Sequence, residues 1–152
     1  MAIRKIIQLG DPRLRKVSKE VLDFGDKTQV LIDDMIDTLN STDNGIGLSA
    51  VQIGILKRIF IIDMRDGKGV KVFVNPKIVE AKGARVGEEG CLSIVGRSGY
   101  VERPNKLIIE AQDRFGVPFR MKAKDLYAVC ICHESDHLDG VLFIDKMIEE
   151  IR

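Results

Sequence analysis

The sequence predicts an α+β domain, in which mostly antiparallel or mixed β-strands pack around a long C-terminal helix and helices precede the strands. Three observations carry this expectation. Apolar residues recur at helical spacing in two separate stretches, Leu31–Met35–Leu39 and Leu126–Cys130–His133–His137. Between them, from Arg58 to about Gln112, short β-rich runs are divided by turn residues. Helices do not alternate with those strands, as the crossovers of a parallel sheet would require.

Taken in chain order, Asp11-Pro12 combines a capping side chain with a residue suited to a first turn, predicting a short helix to about Val17. Leu31, Met35 and Leu39, with Ile32 and Ile36 beside them, predict a second helix ending near Ser41. Arg58–Asp63, Val70–Asn75 and Leu107–Ile109 read as strands, separated by Asp66-Gly67, Asn75-Pro76 and Arg103-Pro104-Asn105. A further strand is expected around Val117–Met121, then a helix from about Lys124 to Leu138 with Gly140 placed to stop it. The last element predicted is a short amphipathic helix near Asp145–Ile151. No repeat, low-complexity tract or linker interrupts residues 1–152, so one domain is the simplest organisation.

Composition narrows the function. With 24 Lys+Arg against 23 Asp+Glu, and both signs interspersed, the chain lacks the basic excess of a nucleic-acid or acidic-membrane binder, and no such partner is expected. The first residues hold no apolar stretch of the signal-peptide kind, and no run approaches the roughly 18 apolar residues of a membrane span. A cytoplasmic protein is the expectation. Its 3 Cys form no disulfide framework and stand as core residues, metal ligands or nucleophiles.

The chain has only 2 His, and both fall in His133-Glu134-Ser135-Asp136-His137. Residues four apart project from one helix face, so two imidazoles can hold one divalent ion while Glu134 acts on nearby water. A catalytic site of this kind needs a third protein ligand and one open position. Cys91, next to Gly90 in Glu88-Glu89-Gly90-Cys91-Leu92-Ser93, is one candidate; Glu149 and Glu150 are weaker ones. Cys130 lies one turn before His133 and either lines the pocket or packs in the core, whereas Cys132 points about 100° away from His133. A third feature, Asn44 to Gln52, interrupts apolar sequence with Gly45, Gly47 and small residues. It lacks the Lys-Ser/Thr ending of a phosphate-binding loop and reads either as a turn or as exposed backbone that pairs with an extended peptide while Gln52 reaches the reacting carbonyl.

Gly45-Ile46-Gly47-Leu48-Ser49-Ala50-Val51-Gln52, Glu89-Gly90-Cys91-Leu92-Ser93 and His133-Glu134-Ser135-Asp136-His137-Leu138 resemble, in order and separation, the three motifs of peptide deformylases. The likeness covers essentially the full chain. It implies hydrolysis of the formyl group from N-formylmethionine on nascent polypeptides, releasing formate, with one divalent metal held by Cys91, His133 and His137. In such enzymes the metal is commonly Fe2+, with Zn2+, Ni2+ or Co2+ able to replace it. The resemblance makes Glu134 the general base and acid, and Gln52 with the Leu92 backbone N–H the stabilisers of the oxyanion. It places the peptide against Ile46 and Gly47, makes Gly90 a further substrate-binding residue, and sets the methionine side chain in a pocket built partly from Ile46, Leu92, Val129, Cys130 and His133. Arg97 is implied to meet the peptide beyond methionine, and Asp136 to pair with Arg103.

Ser49 stands where alanine is more usual in that family, and Cys132 where glutamine is; neither position is a ligand or the base. The ribosome is a further implied partner, reached in some members through a longer basic terminal helix, but Lys146–Arg152 is short and mixed in charge. Two other readings share parts of the pattern. A small HExxH metallopeptidase would cleave internal peptide bonds, and a non-catalytic metal- or peptide-binding module would keep the ligands without needing Glu134 and Gln52.

Overall fold

In a computed structural model describing residues 2–152, thirteen short elements follow one another. A 3-10 turn at Pro12–Arg15 precedes α1 (Asp26–Asn40), β1 (Gly47–Ser49), a second 3-10 turn at Ala50–Ile53 and β2 (Ile59–Ile62). Then come β3 (Lys71–Lys82), β4 (Arg85–Cys91), β5 (Ile94–Arg103), β6 (Lys106–Gln112) and β7 (Pro118–Lys124). The chain continues through α2 (Asp125–Leu138), α3 (Phe143–Lys146) and β8 (Met147–Ile151). The strands form a five-stranded sheet, ordered β1-β2-β3-β6-β7, and a three-stranded sheet, ordered β4-β5-β8, with antiparallel pairing throughout. The α+β class read from the sequence is the class observed.

Helix α2 lies on one face of the larger sheet. Phe60, Ile62, Phe73, Leu107, Ile109 and Ala123 pack there against Ala128, Ile131 and Leu138. Helix α1 covers the opposite face near β1 and β2, where Ile32, Met35 and Leu39 meet Leu48, Ile59, Ile61 and Val74. Strand β2 therefore sends alternate side chains into two cores, which is why Ile59-Phe60-Ile61-Ile62 is a continuous apolar run without polar alternation. A third cluster, including Leu14, Ile94, Val101 and Phe143, ties the smaller sheet to the N-terminal segment.

Two expectations are corrected. Residues 145–151 do not form an amphipathic helix: α3 ends at Lys146, and β8 pairs with β5 through Ser98↔Ile151, Gly99↔Glu150 and Tyr100↔Glu149. The free edge of β5 offers backbone partners that outweigh local helical preference. Gly99 makes the approach possible, since a Cβ there would lie 2.8 Å from Met147 Sδ and 3.0 Å from the Glu149 carbonyl oxygen. Residues 85–103, to which no strand was assigned from the sequence, form β4 and β5, and Cys91 is the last residue of β4.

Candidate metal centre

Helix α2 carries His133, Glu134 and His137 on its buried side. Strand β4 brings Cys91 to that face, and the ligand atoms of Cys91, His133 and His137 all lie within 4.8 Å of one another. Cys91 Sγ is 3.3 Å from His137 Nε2. Glu149 and Glu150, the weaker candidates for a third ligand, sit on β8 outside this cluster, and Glu150 is engaged by Arg97.

The two imidazoles have different surroundings. His133 Nδ1 is 2.9 Å from Glu89 Oε1, which leaves Nε2 as the ring nitrogen available to the cluster. Glu89 in turn accepts two hydrogen bonds of 2.9 Å from Arg103, whose remaining nitrogen donates to Asp136 at 2.6 Å. Burial opposes charge on Glu89, yet Arg103 and His133 outweigh it and hold the carboxyl down at about 2. Burial likewise opposes charge on His133, and its contacts with Cys91 and Glu89 overcome that and raise its pKa. For His137 burial prevails, assisted by the neighbouring His133 and Arg103 charges, and the pKa falls; its Nδ1 is buried without a protein partner.

Glu134 is the general-base candidate, and its environment suits a proton carrier. Burial, with the nearby Glu89 charge adding to it against the opposing pull of His133, pushes its carboxyl up to about 7. Oε1 is buried without a partner, and Oε2 stands 4.0 Å from His133 Nε2. The carboxylate fits because residue 47 is glycine: a Cβ there would lie 2.7 Å from Oε2.

Gln52 is held rigidly. Its Oε1 accepts from the Ser49 backbone N–H at 2.9 Å and the Ser49 hydroxyl at 3.0 Å, so Nε2 points to Ser93 Oγ at 3.1 Å and Cys91 Sγ at 3.5 Å. The Ser49 hydroxyl thus adds to this clamp a hydrogen bond that alanine could not make. A cleft of about 390 Å³ opens beside these groups, lined by Ile46, Gly47, Gly90, Leu92, Val129 and Cys130 among others. Arg97 is not among its lining residues; it forms an ion pair with Glu150 on β8. Cys130 lines the cleft and also packs in the core; burial pushes its thiol up to about 12 and that of Cys132 up to about 11, which leaves both as inert neutral groups.

The donor set suits a borderline divalent ion: one sulfur and two imidazole nitrogens converge at the inner end of the cleft, and Glu134 Oε1 faces no protein donor. What the sequence did not single out is Glu89. Its offset of two residues from Cys91 on a strand was the available signal, since such residues share a face, but its partner Arg103 lies on β5 and only pairing of β4 with β5 joins them.

Comparison with known proteins identifies the family. The family model for polypeptide deformylase matches residues 3–152. The chain is similar to a peptide deformylase of Caldicellulosiruptor bescii, 51% identical over 97% of this chain and 87% of the relative. A relative from Acetivibrio thermocellus is 47% identical, covering 99% and 87% respectively. Among solved structures, a peptide deformylase from Legionella pneumophila superposes with a TM-score of 0.92 at 46% identity, over 96% of this chain and 86% of that one. The enzyme from Thermotoga maritima gives 0.92 at 36% identity, over 97% and 99%.

Proposed function

This chain belongs to the polypeptide deformylase family, and from that premise we propose roles for its residues in the family's reaction. The reaction is hydrolytic removal of the formyl group from N-formylmethionyl nascent peptides, and it is metal-dependent. We take residues 1–152 as one catalytic domain. Cys91, His133 and His137 are the metal ligands, and their convergence from β4 and α2 is the observation that carries the proposal.

When bound, a divalent ion supplies Lewis acidity, lowering the pKa of water towards about 7 and polarising the formyl oxygen. Ferrous iron is the ion proposed, with zinc, nickel and cobalt as substitutes that the same donor set accepts. Glu134 takes a proton from the attacking water and returns it to the amine as the formyl C–N bond breaks, leaving formate and a free N-terminus. Its buried, raised carboxyl matches that two-way task. Gln52 Nε2 and the Leu92 backbone N–H donate to the oxyanion; the double anchor on Ser49 supports this role by fixing the Gln52 amide in advance. Glu89 and Arg103 keep His133 in one tautomer and one orientation.

The peptide lies along Ile46 and Gly47, with methionine in the cleft beside Gly90, Leu92, Val129 and Cys130, whose apolar character suits an unbranched thioether. Arg97 contacts residues beyond methionine only by leaving Glu150. Cytoplasmic operation is proposed; among the described residues no helix is long and apolar enough to cross a membrane. Ribosome contact through a terminal helix has no support from residues 147–151, which are strand.

Glu134→Gln should retain metal and the native fold yet lose about 10²–10⁴-fold in formate release. Full activity in that variant would overturn the assignment of the base. Cleavage of internal peptide bonds without formate would favour a metallopeptidase, and elemental analysis after anaerobic purification tests the iron assignment.

A further inference from the structure

The chain carries a net charge of only +1, but folding does not spread its cations evenly. On the face of β3, β6 and β7 turned away from α2, Lys82, Lys106 and Lys124 stand directly opposite one another on three neighbouring strands. The next row is Glu80, Ile108 and Lys122, and beyond it lie Lys77, Glu110 and Arg120. Both carboxylates are already engaged, Glu80 by Lys82 at 3.0 Å and Glu110 by Arg120 at 3.1 Å. Lys77, Lys106, Lys122 and Lys124 have no ion-pair partner among the described residues. Like charges directly opposed across strands destabilise a sheet, and nothing in the packing of these exposed positions requires lysine. The first two rows, together with Leu107 and Ala123, line a groove of about 500 Å³.

We infer that this face docks the phosphate backbone of RNA. The row's three ammonium groups, one of them shared with Glu80, span roughly 10 Å at strand separations of about 4.8 Å, a spacing that successive charges of a continuous polyanion can follow. A bilayer would find no projecting apolar anchor, because the groove's apolar residues are the buried Leu107 and Ala123 and the half-buried Ile108. An acidic protein fits less well, since lysine is depleted at protein interfaces. RNA is also the polyanion that accompanies the substrate: a nascent polypeptide is esterified to it, so the identity of the partner rests on the proposed reaction. The groove lies across the sheet from the metal ligands, and a docked strand leaves the cleft open.

The test is fluorescence anisotropy with a labelled RNA hairpin of about 16 base pairs, titrated from about 50 to about 200 mM salt. Four unpaired lysines predict a slope of log K against log salt of about −3 to −4. Lys106→Gln with Lys124→Gln should reduce that slope by about 2 and weaken binding at least tenfold at low salt. Lys27→Gln with Lys68→Gln removes the same charge at exposed sites elsewhere and should leave binding within about twofold of wild type. Formate release from a short formylated peptide should be unchanged in both pairs. Absence of RNA binding at low salt, equal weakening by the two pairs, or binding to phosphatidylglycerol vesicles that RNA does not displace would each overturn the inference. RNA binding that follows the lysine rows in a protein releasing no formate would sink the catalytic reading and leave the docking surface supported.

Discussion

The two ends of the five-stranded sheet obey different rules. At the β1–β2 end both faces are covered, by α2 on one side and α1 on the other, and every residue of β2 is buried. At the β6–β7 end α2 covers one face, and the other carries Lys106, Ile108, Glu110, Arg120, Lys122 and Lys124. The covered end has no tolerance for charge or extra volume, and it is where Gly47 and Gln52 are positioned against Glu134 and Cys91. The open end tolerates almost anything soluble, so its concentration of lysine is a choice that packing does not explain. Rigidity at one end serves geometry, and freedom at the other serves surface charge.

The sharpest contrast should come from Phe60→Ala. Phe60 is fully buried and stacks on Phe73 with ring centroids 4.7 Å apart, so truncation should cost about 3–5 kcal/mol, read from urea denaturation midpoints. Gly47→Ala tests geometry more than stability. The added methyl displaces the Glu134 carboxylate, and formate release should fall about 100-fold while the protein remains folded. A variant with wild-type turnover would show that Glu134 does not need its observed position. At the open end Lys106→Gln relieves two cross-strand repulsions, and stability should stay level or rise by no more than about 0.5 kcal/mol. A clear loss of stability there would mean that Lys106 has a structural role and would break the contrast between the ends.

How much could be read beforehand depended on how local each signal was. His133, Glu134 and His137 were legible because helical periodicity alone puts them together. Cys91 could be picked from three open alternatives only through the resemblance of its motif, because no local rule links a residue on β4 to a helix some forty residues later. The Glu89–Arg103–Asp136 chain behind His133 was partly visible, with Asp136 and Arg103 paired by resemblance and Glu89 given no part. The C-terminal segment misled because Met147–Ile151 has an amphipathic helical spacing, while the vacancy at the edge of β5 and the room above Gly99 exist only in the folded chain.

Sequence by itself determined the α+β class, the helices α1 and α2, the strands β2, β3, β6 and β7, and the chemistry available: one HExxH helix, a motif cysteine and a glycine-rich segment. These follow from periodicity and side-chain chemistry, which act over a few residues. Only the tertiary structure decided which carboxylate steadies His133, that residues 147–151 become a strand, and that lysines scattered from position 82 to 124 stand in one row. Such outcomes depend on strand pairing and register, and a shift of a single residue would turn every side chain in a strand to the other face.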